Sequence, residues 1–296
     1  MMTIMEAFSA PPGDLAAAEP DDIARFVTAA ARHAPSVYGS APWWFAATDT
    51  SVCLHADQER QLPIADPAGR ELTISCGAAI FTARVAMRQL GLLPEASVFP
   101  QPERPSLVAN IGWADARRPA ADFERELFAQ TAAARTHQGG FAYSRLPDGV
   151  MSGLAEDAER EGAGLVIMTD DDHRAALLAV LETARAAFRL DGKRAVEAAS
   201  YHADDASAGW AAPPADVTLT PASAGILTIL TTQADQRADW VAAGQALQRL
   251  LLTASAQGAA VAVSSEAMEF EHLRAFTGSE LAGGASPQLI LRFGPR

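Results

Sequence analysis

The stretch WVAAGQALQRLLLTASAQG, residues 240–258, decides the reading of this chain, because ISCGAAIFTARVAMRQLG, residues 74–91, has the same pattern. In both, a glycine (Gly77, Gly244) is followed fourteen residues later by another (Gly91, Gly258), with an alanine- and leucine-rich run at helical spacing between them. Arg84 and Arg88 in one run and Arg249 in the other are the only charges between the paired glycines. Two helices buried on most of their circumference are expected. The closing glycine suits the left-handed residue that ends a helix. The opening glycine sits inside the helical pattern, where it costs about 1 kcal/mol relative to alanine, so it predicts a surface that another helix approaches closely.

Strand signals flank both runs. PSLVANIG (105–112) follows the first and PQLILRFG (287–294) the second, each seven residues from proline to glycine. WFAATDTSVCLHA precedes the first and GILTILTTQ the second. Two halves of strand, long buried helix and strand imply an internal duplication with the helices packed across a pseudo-twofold axis. The alternative is two unrelated units that share alanine-rich helices.

With 296 residues the chain can bury an ample core, as one large domain or two ordinary ones. A net charge of −13 argues against nucleic acid and anionic membrane as partners. The first residues, MMTIMEAFSAPPGDLAAAEPDD, lack the basic and apolar regions of a signal peptide, and no apolar run reaches the roughly 18 residues of a membrane span. Two cysteines and six scattered histidines offer neither a metal-ligand spacing nor a disulfide framework, which fits a reducing cytoplasm.

Taken in order, DDIARFVTAAARHA reads as a helix capped by Asp21 or Asp22, with Ile23, Phe26, Val27 and Ala30 inward. APSVYGSAPWWF (34–45) reads as an ordered turn pinned by two tryptophans that need burial; it is a candidate binding loop or a plain connection. The composition turns polar near 117–122, the expected seam between a first half, 1–118, and a second, 119–296. The second half opens with a helix that carries Phe123, Leu127 and Phe128 inward and gives way at ARTHQGGF. Arg135, Thr136, His137 and Gln138 there offer a guanidinium, a hydroxyl, an imidazole and backbone amides, either a phosphate cradle or a solvated helix end. Between 191 and 222 periodicity disappears, which suggests a lid over a site.

These residues together resemble the Acg-like branch of the FMN-dependent nitroreductase family, over residues 22–294, in which one chain folds like a whole nitroreductase dimer. APSVYGSAPWWF resembles the loop that faces the flavin ring from the partner subunit, which assigns Pro35, Ser36, Val37, Tyr38 and Ser40 to that role. RTHQGGF resembles the arginine motif that grips the FMN phosphate, which assigns Arg135, Thr136, His137 and Gln138. DWVAAGQALQRLLL, PQLILR and RQLPIADPAGRELTISCGAA resemble well-marked stretches of the branch. Ser264 and Ser265, in the loop expected after the second helix, lie where the family supplies backbone groups to the ring.

The resemblance implies an α+β fold, duplicated in one chain, with mixed, mainly antiparallel sheets around long buried helices. It also implies one composite flavin site, because only the second half has the arginine motif and only the first has the ring-facing loop. Gly39 and Ala41 stand where the family has asparagine and glutamine, and Gln138 and Gly139 where a second basic residue is expected. Three functions follow as alternatives. The chain is a flavin oxidoreductase passing electrons from NAD(P)H to a nitroaromatic or quinone, an FMN-sequestering protein with a lid, or a flavin-free interaction module. A monomer or weak homodimer suits each.

Overall fold

The structure, a computed structural model, describes residues 19–138, 140–141, 145–201, 209–210 and 225–296. The first half contains α1 (Pro20–Ala31), β1 (Ser36–Val37), β2 (Trp43–Ala47), β3 (Ser51–Ala56), α2 (Arg70–Gln89), β4 (Leu92–Val98) and β5 (Leu107–Arg117). Next come α3 (Asp122–Gln130), α4 (Val150–Arg160), β6 (Gly164–Ile167), α5 (Asp171–Leu190), α6 (Gly192–Tyr201) and β7 (Gly209–Trp210). The chain closes with β8 (Ile226–Thr232), α7 (Arg237–Ala256), β9 (Ala259–Ser264), α8 (Glu266–Glu269), α9 (Glu271–Phe276) and β10 (Ser286–Pro295).

This is an α+β fold with two four-stranded antiparallel sheets, in the orders β2-β3-β5-β4 and β6-β8-β10-β9. In the first, α2 leaves β3 and β4 follows it; in the second, α7 leaves β8 and β9 follows it. The two long helices cross between the sheets. Ile74 of α2 belongs to the apolar core beside the second sheet, and Val241 of α7 to the core beside the first. Their crossing depends on glycine. A Cβ on Gly77 would lie 2.3 Å from the Val241 carbonyl oxygen, and one on Gly244 would lie 1.9 Å from that of Ile74. Gly91 and Gly258, with φ of 74° and 72°, supply the left-handed residue after each helix.

Several sequence expectations are corrected here. Helix α1 starts at Pro20 with Glu19 as its cap, so Asp21 and Asp22 occupy the first turn, where they complement the helix dipole. WFAATDTSVCLHA forms a hairpin of two strands rather than one. Only Trp43 of the paired tryptophans is buried; Trp44 is half exposed and stacks on His55, ring centroids 4.0 Å apart. Phe123 is exposed, while Leu127 is buried.

The segment from 191 is not irregular at its start. Helix α6 forms there because Asp191 accepts from the amides of Lys193 and Arg194, a cap that needs no apolar stripe. The remainder of the expected lid lies outside the described residues, apart from β7.

Candidate functional site

The site is built around β7. It runs parallel to β1, with Ser36 opposite Gly209 and Val37 opposite Trp210. The Tyr38 amide donates to the Trp210 carbonyl at 3.0 Å, and the Thr136 hydroxyl donates to the Gly209 carbonyl at 2.6 Å. Two residues of strand are therefore clasped between the 34–41 turn and the segment after α3, stretches about a hundred positions apart in sequence. The fit requires glycine, because a Cβ on Gly209 would lie 2.3 Å from the Gly39 amide nitrogen. Trp210 is 1 % exposed.

The turn itself is rigid. Pro35, Ser36, Val37, Tyr38 and Ser40 are all buried. Val37 donates its amide to Ser75 Oγ of α2 at 3.1 Å, Ser36 Oγ accepts from the Ala41 amide at 2.9 Å, and the Ser40 carbonyl accepts from Arg60 Nη1 at 2.9 Å. Tyr38, Gly39 and Ala41 have φ of 49°, 67° and 42°. A left-handed conformation costs a non-glycine residue about 1–2 kcal/mol, so the surrounding hydrogen bonds must hold Tyr38 and Ala41 in place.

Helix α3 ends at Gln130, so residues 135–138 form an extended strip beside β9 rather than a helix end. Thr136 pairs with Val261, and the His137 amide donates to the Val261 carbonyl at 2.7 Å. The His137 ring stacks on Phe141, 4.4 Å between centroids. Phe141 in turn fills the space that Gly225 and Gly294 leave open. Arg135 and Gln138 are exposed; Arg135 Nη1 donates to the Ala134 carbonyl at 2.8 Å. Ser264 and Ser265 are not in a loop that follows α7 directly. Ser264 ends the buried strand β9, and Ser265 caps α8.

The largest surprise is a buried charged cluster beneath the turn. Glu71 of α2 and Glu266 and Glu269 of α8 gather there with Arg70, and Arg194 of α6 pairs with Glu269. Arg70 bridges α2 to β10 through the Gln288 carbonyl at 2.8 Å and contacts Glu71 at 3.3 Å. Burial pushes Glu266 up to about 8, an increase that Arg185, Ser264 and Arg292 only partly oppose. Burial likewise raises Glu71, against the opposing charge of Arg70. Burial first, then the charges of Glu269, Glu71 and Glu266, raise the Tyr38 phenol.

Glu266 Oε1 and Glu269 Oε1 have no hydrogen-bond partner, nor do Nε and Nη1 of the neighbouring Arg292, whereas Ser265 and Trp210 hydrogen-bond to the Glu71 carboxyl; Ser40 Oγ in the turn is also without a partner. Unsatisfied buried groups are rare and mark functional or strained places. Sequence reasoning missed these glutamates. The available signal was a charge inside an apolar run, as in GRELTIS and AVAVSSEAM. Among the described residues no group of His, Cys, Asp and Glu side chains is placed to hold a metal, and no helix is long and apolar enough to cross a membrane.

Comparison with known proteins places this geometry in context. No model of a known protein family matches the chain. The chain is 30% identical over 292 residues to a Mycobacterium tuberculosis H37Rv protein provisionally named NAD(P)H nitroreductase Rv3131, covering 91% of this chain and 84% of the relative. It is 27% identical over 310 residues to another from that organism, provisionally named NAD(P)H nitroreductase Acg, covering 92% and 89%. Among solved structures, a nitroreductase with bound FMN from Desulfitobacterium hafniense DCB-2 aligns with a TM-score of 0.37 and 15% identity, over 57% of this chain and 88% of that one.

Proposed function

Because the chain belongs to the family of NAD(P)H nitroreductases, we propose that it binds FMN at one composite site and acts as a slow NAD(P)H-dependent oxidoreductase, with β7 closing the site. The observation that carries this is the convergence of Thr136 and the 35–40 turn on the two sides of β7. One belongs to the expected phosphate motif and the other to the expected ring-facing loop. Identical strand order in the two sheets, and the glycine crossing of α2 and α7, support 1–118 and 119–296 as duplicated halves of a single-chain pseudo-dimer. Such a unit needs no second chain to complete its site, and its acidic surface suits the cytoplasm.

The donor set fits a flavin. The buried Ser40 hydroxyl, a donor, and Glu266 Oε1, an acceptor, are without partners. The edge of an isoalloxazine ring presents both acceptors and an N–H, which such a mixed set can meet. At the phosphate end Arg135 supplies the charge and Thr136 the hydroxyl. FMN supplies the hydride and electron transfer that a nitroaromatic or quinone substrate requires. The chain's own residues orient it: the turn fixes backbone groups through Ser75 and Arg60, and Ser264 and Ser265 hold the entry to α8.

Seated, β7 occupies the Thr136 hydroxyl and the open edge of β1. Nucleotide and strand compete for the same groups, which favours slow turnover and makes FMN retention behind a lid the second reading. The test is a flavin titration. Arg135→Ala should weaken FMN by roughly 1.5–3 kcal/mol, about 10- to 150-fold, and leave riboflavin nearly unaffected. Equal losses for both flavins would assign Arg135 to the fold and refute the phosphate grip.

A further inference from the structure

A second opening lies at the far end of α2, where the helix stops and the seam between the halves begins. The chain turns there because Gly91 leaves the helix at a φ of 74° and Leu92 starts β4, which returns beside β5 with Leu92 opposite Arg117. The Arg118 amide closes the corner by donating to the Gly91 carbonyl at 2.8 Å. Between this corner and Arg125 of α3 is a cleft of about 360 Å³. Its floor is apolar, formed by Leu90, Gly91, Pro119 and Ala120, of which Leu90 and Ala120 are buried. Fourteen residues of helix, about 21 Å, separate Gln89 at its edge from Ser75, which holds the 34–41 turn.

The rim of this cleft is basic in a chain whose net charge is −13. Arg117, Arg118 and Arg125 stand exposed around it, and carboxylates answer only part of their charge. Arg125 pairs with Asp122 and donates to the Ala120 carbonyl. Arg118 lies 3.9 Å from Glu124, whose two oxygens are already held by Arg88 and the Ala121 amide. Arg117 pairs with no carboxylate among the described residues; its Nη1 reaches the Leu90 carbonyl at 3.4 Å. A guanidinium carries five N–H donors, so Arg117 and Arg118 keep most of theirs for water or a ligand.

We propose that this cleft is a second ligand site, for a small organic anion with an apolar or aromatic body and one carboxylate. The body lies on Leu90, Pro119 and Ala120, and Arg117 and Arg118 hold the carboxylate at the rim. The carbonyl end of α2 repels negative charge, which keeps the carboxylate off the floor and on the arginines. The cleft falls in the lower part of the range of about 300–1,000 Å³ that small-molecule sites occupy.

Two properties follow from the position of the site. It joins α2 and β5 to α3 across the seam, so a bound ligand stabilises the folded chain against unfolding. Its charged groups are open to water, so binding weakens as salt is added. Neither property depends on flavin, because none of the cleft residues belongs to the turn, to residues 135–138 or to the entry of α8.

Calorimetric titration of the full chain with 1-naphthoate, with and without saturating FMN, tests the site. Binding with a Kd of about 1 mM or tighter is expected, unchanged by FMN, and the neutral 1-naphthamide should bind at least about fivefold more weakly. Arg117→Gln and Arg118→Gln, both at exposed positions, should each weaken 1-naphthoate about two- to fivefold, the range of exposed ion pairs, and the double variant should weaken it further. Arg25→Gln on α1 removes the same charge elsewhere and should leave the affinity as it was. A Kd above about 10 mM for 1-naphthoate would overturn the proposal. So would equal affinity for 1-naphthamide, or the same loss in Arg25→Gln as in the rim variants. Displacement of 1-naphthoate by FMN, with both rim variants unaffected, would assign it to the flavin site and overturn the second site.

Discussion

Gly77 and Gly244 lie so close where α2 crosses α7 that a Cβ built on Gly77 would stand 2.9 Å from the Gly244 Cα. The other close neighbours are the Val241 and Ile74 carbonyl oxygens, backbone atoms that cannot swing aside. Gly77→Ala and Gly244→Ala should each gain about 1 kcal/mol of helix propensity and lose more by forcing the helices apart, for a net loss of about 1–3 kcal/mol. Gly153 in α4 is the control. A Cβ there meets nothing within 4 Å, so Gly153→Ala should stabilise. Urea unfolding of the three variants checks the ranking, and unchanged midpoints for the two crossing variants would refute close packing as the reason for these glycines.

Glu124 should make acid stability depend on the joint between α2 and α3. Arg88 bonds both its oxygens, at 2.8 and 3.0 Å, and the Ala121 amide bonds one of them at 2.7 Å. The Arg88 hydrogen bond is the main cause that holds Glu124 below its ordinary range, against a smaller opposing effect of burial. A depressed carboxyl contributes its stability above the unfolded value near 4.5 and loses it as pH falls through the folded value. Glu124→Gln should cost about 1.5–3 kcal/mol at neutral pH, and that difference should shrink below about pH 4. A difference that stays constant down to about pH 2 would show that the loss is not electrostatic.

The glycine crossing was legible because a glycine inside a helical run has few other reasons to be there. The strands expected from Pro105 and Pro287 were legible as apolar runs, but their proline and glycine bounds were not the strand ends: β5 runs on past Gly112 to Arg117, and β10 includes both Pro287 and Gly294. Helix α6 was not legible, since among its described side chains only the small Ala198 enters the core, and Glu197 and Arg194 make its polar ties. Strand β7 was hidden for a related reason: two residues carry no alternation, and what fixes Gly209 is the distant Gly39 backbone. The buried glutamates were the least legible part of the site. Glu71 and Glu266 lie 195 positions apart, and nothing local to either says that the other will be its neighbour.

Gly209 offers the most direct test of the closure. Alanine there would place a Cβ 2.3 Å from the Gly39 amide nitrogen, in a turn already strained at Tyr38 and Ala41 and fixed by Ser75 and Arg60. The turn is anchored to α2 and cannot retreat, so β7 should leave and carry Trp210 into solvent. Acrylamide quenching of tryptophan fluorescence should therefore increase in Gly209→Ala, and the increase should vanish in the double variant with Trp210→Phe. Thr136→Val, which removes the 2.6 Å hydrogen bond to Gly209, should move quenching in the same direction by less, in keeping with about 1 kcal/mol for one neutral hydrogen bond. If β7 is the closure, NADPH oxidation by flavin-loaded protein should be faster in Gly209→Ala than in the wild type. Greater quenching without faster oxidation would mean that β7 moves but does not guard the reacting ring.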